Sequence, residues 1–197
     1  FSYACFAVSV LGMLIRFMVI GFVPKATSGR NTHEQVAETV NNKGIYSVVR
    51  HPLYLGNYFM WLGIIIYVGN VWFIITASLL YWLYYERIIF AEEFFMRSKF
   101  GKAYTDWAEH VPAFWPKLSG WLPSEMEFSF KNILKREYSG FLATVISFLF
   151  VNVSKYYFQY EQVNVAQEWL YITAGAALLT ITLKLMKKAK LLEVSGR

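Results

Sequence analysis

The chain has 197 residues, of which 56% are hydrophobic, 19% aromatic and only 16% charged, against roughly 25% charged in a soluble domain. The apolar residues fall in long blocks, the pattern of membrane spans, which argues against a soluble globular domain. The formal net charge is +6, and much of it lies in a tail where Lys184, Lys187, Lys188, Lys190 and Arg197 oppose only Glu193. A basic tail behind an apolar span marks the cytoplasmic side. With no basic folded face or known motif beside it, it does not indicate nucleic-acid binding.

The first predicted span is Phe1 to Val23, closed by Pro24. It begins inside an apolar run and without Met, so an upstream segment is to be expected. Its single cysteine, Cys5, excludes an internal disulfide framework and a Cys-based zinc cluster, and reads as a small buried or lipid-facing residue. Arg16 is costly inside a span, which leaves two readings of equal weight: a functional pairing, or a side chain reaching out to the interface. Lys25 to Lys43 is too polar to span and reads as a surface loop, with a short helix expected near Glu34 to Val40. Arg30 in that loop reads as a solvated arginine rather than an anion ligand. His33 and Glu34 have no second metal ligand at helical spacing.

Pro52 to Val68 and Val71 to Phe90 are the second and third spans, joined by Gly69-Asn70. A link that short forces an antiparallel hairpin and brings Arg50-His51 to the same side as Glu86-Arg87. Pro52 suits a first helical position. Gly56 and Gly63 share a face, where small residues admit either a neighbouring helix or a ligand. Ala91 to Gly101 continues as an amphipathic helix leaving the membrane, with Glu93 and Arg97 at the spacing of an ordinary surface ion pair. The aromatic, proline-broken stretch from Tyr104 to Pro123 reads as an interfacial segment. Tyr138 to Phe158 and Val165 to Met186 complete five expected spans, with Asn152 and Lys155 late in the fourth, where Lys155 reads as reaching out to the interface. The loop between these two carries Glu161 and Glu168 and no Lys or Arg, whereas the other loops and the tail are basic. The positive-inside rule then puts the polar clusters and the C-terminus in the cytoplasm. The expectation is one all-α, polytopic membrane domain over residues 1–197. Residues 1–43 form the first span and polar loop, 44–116 the core, and 117–197 an interfacial segment and two further spans.

The hairpin gathers Arg50, His51 and Tyr54 beside Glu86, Arg87, Glu92 and Glu93 at one membrane boundary. Polar groups converging next to apolar walls are what a cofactor pocket needs. Such a set suits a zwitterionic ligand, with Arg or His for its carboxylate and Glu for its amine or ribose hydroxyls. One His with two Glu lacks the spacing of a metal site, so no metal is expected.

The ordered pattern Arg50-His51-Pro52-x-Tyr54-x-Gly56, an apolar hairpin, Glu92-Glu93, Phe100-Gly101-x-x-Tyr104 and Val111-Pro112 resembles the isoprenylcysteine carboxyl methyltransferase family. Phospholipid N-methyltransferases and small-thiol methyltransferases are similar in this region. The resemblance covers Gly44 to Pro116, more weakly back to Gly12 and Arg16. It implies S-adenosylmethionine bound at the cytoplasmic side of the bundle by His51, Tyr54, Gly56, Glu92 and Glu93, with Tyr104 in support and Arg50 close by. Methyl transfer to a lipid or lipidated acceptor would follow. Arg50 or Arg87 would hold an acceptor carboxylate, and Glu86, Glu93 or His51 would take a proton from an amine or thiol acceptor. The two spans after Tyr138 depart from the family core. Sterol reductases share part of the pattern, so an NADPH-dependent membrane reductase is the alternative enzyme, and a non-enzymatic bundle the alternative without chemistry.

Overall fold

The computed structural model describes residues 1–24 and 37–196. Six α-helices occur among them: α1 (Ser2–Phe22), α2 (Pro52–Val68), α3 (Val71–Phe100), α4 (Lys102–His110), α5 (Phe130–Tyr160) and α6 (Gln167–Lys188). The β pairing found among the described residues is one antiparallel bridge, Gly44 with Leu122. Helices α1, α3, α5 and α6 are long and apolar enough to cross a membrane. Helix α2 has 17 residues, which at ~1.5 Å per residue gives ~26 Å, the lower limit of a span. The five expected spans are thus four full-length helices and one short one. The expected helix near Glu34 to Val40 does not extend over residues 37–40, and residues 34–36, with Arg30 and His33, lie outside the described residues.

Local chemistry sets the helix ends. Val23 leaves α1 in an extended conformation just before Pro24, and Pro52 opens α2 at its first position. The α2–α3 turn uses Gly69 at φ 83°, a left-handed cap that suits glycine. The Asn70 side chain then accepts a hydrogen bond from the Phe73 N–H at 3.0 Å. Gly101, at φ 52°, separates α3 from α4.

Helices α1, α2 and α5 form the centre. Helix α1 runs antiparallel to α2, with Gly12 against Gly56 and Met60, and Ser9 and the Cys5 carbonyl against Gly63. A Cβ on Gly12 would lie 2.5 Å from the Gly56 carbonyl oxygen, so the two backbones touch. Lipid tails are as apolar as the helices, so association rests on such close packing and on hydrogen bonds. Ser9 adds one, donating to the Met60 carbonyl at 2.7 Å. At one end of the bundle Cys5, Tyr67 and Phe148 are buried together, flanked by Phe6 and Trp169. There Asn152 donates to the Tyr67 hydroxyl at 2.9 Å. Lys155, placed by the sequence at the interface, donates to the Tyr67 carbonyl at 3.1 Å, capping the last turn of α2.

At the other end Arg16 pairs. Its Nε and Nη2 donate to the two Glu137 oxygens of α5 at 2.7 and 2.6 Å, and its Nη1 to Asn57 Oδ1 of α2 at 2.5 Å. Arg16 and Glu137 are both buried, so each ion is matched where an unpaired charge would be costly. Helix α3 lies against α2 through aromatic side chains, and α6 against α5, where Thr180 donates to the Tyr138 carbonyl at 3.4 Å. Helix α3 has 30 residues, ~45 Å at ~1.5 Å per residue, against a bilayer core of ~30 Å. Its last turns, with Glu92 and Glu93, therefore reach past the apolar layer.

Candidate functional site

The site begins with an irregular segment, residues 44–51, held by a second one, residues 112–122. The Arg50 N–H donates to the Pro112 carbonyl at 2.9 Å, His51 N–H to Ala113 at 3.2 Å, Lys117 N–H to Val48 at 2.9 Å and Gly44 N–H to Leu122 at 2.9 Å. Ser47 Oγ accepts from Leu122 N–H at 2.9 Å and donates to the Gly44 carbonyl at 2.7 Å. Trp107 Nε1 donates to the Tyr46 carbonyl at 3.2 Å. The stretch read as an interfacial segment is therefore a clamp over the start of α2, while Trp115 and Trp121 remain exposed as expected of it. Its prolines, Pro112 and Pro116, keep it out of helix and free its carbonyls to pair.

Helix α2 carries His51 and Tyr54 outward from this clamp, and α3 brings two carboxylates to meet them. His51 Nε2 lies 3.0 Å from Glu93 Oε1; a carboxylate only accepts, so the ring N–H donates. Arg50 Nη2 is 3.1 Å from the same oxygen, and Arg97 Nη2 is 3.1 Å from Glu93 Oε2. Tyr54 donates to Glu92 Oε2 at 3.0 Å, and His51 Nδ1 lies 3.8 Å from that oxygen. The His51 and Tyr54 rings stack with centroids 5.8 Å apart, and Phe114 from the clamp lies 6.3 Å from His51. Arg50 also donates from Nη1 to the Ala108 carbonyl in the last turn of α4, at 2.5 Å. Tyr104 is buried on α4 against Trp107, with ring centroids 5.4 Å apart. Burial, and then the negative charge of Glu93, push its phenol up to about 12. Burial likewise holds the Tyr46 phenol above its usual range.

Of the residues named from sequence, Arg50, His51, Tyr54, Glu92 and Glu93 thus form one cluster, with Tyr104 beside it. Gly56 stands apart, packed on α1, where a Cβ would meet Arg16 Cγ at 2.7 Å and the Gly12 oxygen at 2.9 Å. Of its two readings, helix packing is the one the contacts occupy. Glu86 and Arg87 are exposed, and no polar partner is found for either among the described residues. The reason is geometric. The inward stripe of α3 follows an i,i+4 ridge, Tyr81, Tyr85, Ile89 and Glu93, and successive residues turn by about 100°. At the level of Glu86 the inward position belongs to Tyr85, whose ring lies 5.0 Å from that of Tyr54. Loop length alone puts Glu86 and Arg87 on the correct side but does not fix which face they take.

Two features escape the sequence reading. One is the 112–122 clamp, signalled only by its prolines. The other is a cleft of about 590 Å³ beside α4, lined among others by Asn42, Ser47, Trp107, His110 and Lys117; none of the cofactor residues named from sequence lines it. Among the described residues no three His, Cys, Asp or Glu side chains group as metal ligands.

Two atoms of the cluster have capacity to spare. Arg50 Nε is buried with no hydrogen-bond partner. Glu92 has a side chain 39% exposed, and Tyr54 is its hydrogen-bond donor. An accessible carboxylate at the edge of a cationic cluster is complementary to a ligand bearing an amine or hydroxyls.

Residues 2–103 match the family described as phospholipid methyltransferase. The protein-S-isoprenylcysteine O-methyltransferase of Schizosaccharomyces pombe is 30% identical over 120 residues, 57% of this chain and 50% of the relative. A probable protein-S-isoprenylcysteine O-methyltransferase of Oryza sativa subsp. indica is 27% identical over 116 residues, 56% of this chain and 58% of the relative. The nickel-cobalt-cadmium resistance protein NccN of Alcaligenes xylosoxydans xylosoxydans is 29% identical over 118 residues, 60% of this chain and 53% of the relative. The chain spans about half the length of the curated relatives it matches. No solved structure matches it.

Proposed function

The chain belongs to the phospholipid methyltransferase family, and from that premise we propose that it moves a methyl group from S-adenosylmethionine to a membrane-associated acceptor, the carboxylate of an isoprenylcysteine-like lipidated substrate. The observation that carries this reading is the cluster of His51, Arg50, Tyr54, Glu92 and Glu93, with an unpartnered guanidinium nitrogen and an accessible carboxylate in it. The names of the relatives support the acceptor. The basic loops support a cytoplasmic site in a single integral membrane domain.

In this reading Glu92, the accessible member of the cluster, meets the donor's amine or ribose hydroxyls, and the half-buried Arg50 and the buried His51 hold the site from behind it. When bound, S-adenosylmethionine supplies a methyl group on a sulfonium, already activated for transfer. The protein's share is then orientation and electrostatics. Glu93 supports both tasks, fixing the His51 ring and the Arg50 fork through one oxygen. Phe114 and the Tyr54 ring shield the cluster from water. A carboxylate acceptor is ionised at neutral pH and needs no base. Glu86 accordingly has no part in this reading. Arg87, exposed on α3 and turned roughly 200° from the inward Tyr85, is given no part either.

The test is methyl transfer from labelled donor in bilayers to a prenylcysteine analogue, compared with phospholipid amines and small thiols. Labelling of the prenylcysteine ester supports the reading, and labelling of only the amine or thiol overturns its acceptor.

A further inference from the structure

Beneath the cluster a second set of polar groups runs through the apolar part of the bundle. It starts on α5, outside residues 2–103 of the family match. Glu137 holds Arg16 with two hydrogen bonds, 2.7 and 2.6 Å. Arg16 holds Asn57 Oδ1 at 2.5 Å. Asn57 Nδ2 donates in turn to the Tyr85 hydroxyl at 3.4 Å. The Tyr85 ring stacks on Tyr81, centroids 4.2 Å apart, and packs on Tyr54 at 5.0 Å. Tyr81 donates to the Tyr54 carbonyl at 2.8 Å, and Tyr54 ends the path on Glu92. The Arg16 stem also fills the groove over Gly56, half a turn past Tyr54. Every step is a hydrogen bond, an ion pair or a ring contact, and four helices contribute.

We infer that Glu137 is a positioning residue for the methyl-donor site, acting through Arg16, Asn57 and Tyr85 to fix Tyr54, so that α5, which follows the family core, is a working part of the site. The inference rests on the donor site proposed above. A charge pair needed only for bundle stability would need no hydrogen bond onward from Asn57 to Tyr85, and no second tyrosine tying Tyr54 from its carbonyl. Those two links are what aim the network at the cluster.

The experiment is calorimetric titration of the full chain in bilayer discs with S-adenosylhomocysteine. It compares wild type with Glu137→Gln, Tyr85→Phe, Tyr54→Phe, and the two double variants that include Tyr54→Phe. Dissociation constant and stoichiometry separate the alternatives: a structural loss lowers the number of sites per chain and leaves the constant unchanged, whereas a positioning loss raises the constant at full stoichiometry. Glu137→Gln should raise it about fivefold or more at unchanged stoichiometry. In the doubles the effects should fall short of the product of the singles, as for coupled side chains. Tyr85→Phe removes one hydroxyl and leaves the Arg16 pair intact, so it decides the matter should Glu137→Gln fail to fold. Unchanged constants in the variants, or singles that multiply, would overturn the inference and leave the donor site standing. A folded wild type that does not bind would overturn the donor site itself.

Discussion

Glu93 is the residue on which the cluster converges, holding His51, Arg50 and Arg97 through two oxygens. Glu93→Ala strands a half-buried guanidinium and an imidazole and should cost about 1–3 kcal/mol, measured by unfolding in detergent. Arg97 is 56% exposed, so Arg97→Ala should cost less than about 1 kcal/mol. Equal losses would mean that the pairs are not ranked by burial. Tyr104 makes a different point. With its phenol pushed up to about 12 by burial and by Glu93, it stays protonated and neutral below that pH. The pH profiles of donor binding by wild type and Tyr104→Phe should therefore superimpose up to about pH 10, the ordinary tyrosine range. An inflection near pH 10 that disappears in the variant would contradict this placement. At this scale the sequence let His51, Tyr54, Glu92 and Glu93 be expected together because they sit in a short ordered motif, and the structure brings them into one cluster. It could not place Glu86 or Arg87, because helical facing depends on which ridge packs inward.

At the scale of elements, the α1–α2 contact depends on glycine. A Cβ on Gly12 would lie 2.5 Å from the Gly56 oxygen and from the Met60 nitrogen. Both are backbone atoms, and backbone moves only if the helices part. Gly12→Ala should therefore destabilise by about 1–3 kcal/mol or more. Gly175 on α6 has nothing within 4 Å of a Cβ, so Gly175→Ala should be neutral or stabilising by up to about 1 kcal/mol on helix propensity. Thermal unfolding of the two variants in one detergent checks both signs. The Gly69-Asn70 turn was legible because two residues permit only an antiparallel hairpin. The pairing of residues 44–51 with 112–122 was not, since it joins irregular segments with no periodicity and depends on tertiary contacts. Gly56 was legible as a close approach, but its partner, Arg16 on α1, could not be read from spacing.

The whole molecule joins two layers of polar chemistry: a cluster at the membrane boundary and a charge pair within the bundle. The block pattern of apolar residues made the all-helical bundle readable. The link between the layers was not readable, because Arg16 and Glu137 lie 121 positions apart and nothing local couples them. Their pairing explains how an arginine and a glutamate are tolerated at buried positions, and it ties α5 to α1. The central claim is that the boundary cluster binds a methyl donor. The most direct measurement is calorimetry of S-adenosylhomocysteine with the full chain in bilayer discs, for wild type and His51→Ala. The account predicts one site per wild-type chain and at least about a tenfold weaker site in His51→Ala, on the scale of a lost charge-assisted contact. A folded wild type that binds nothing, or a variant that binds as well as wild type, would contradict it.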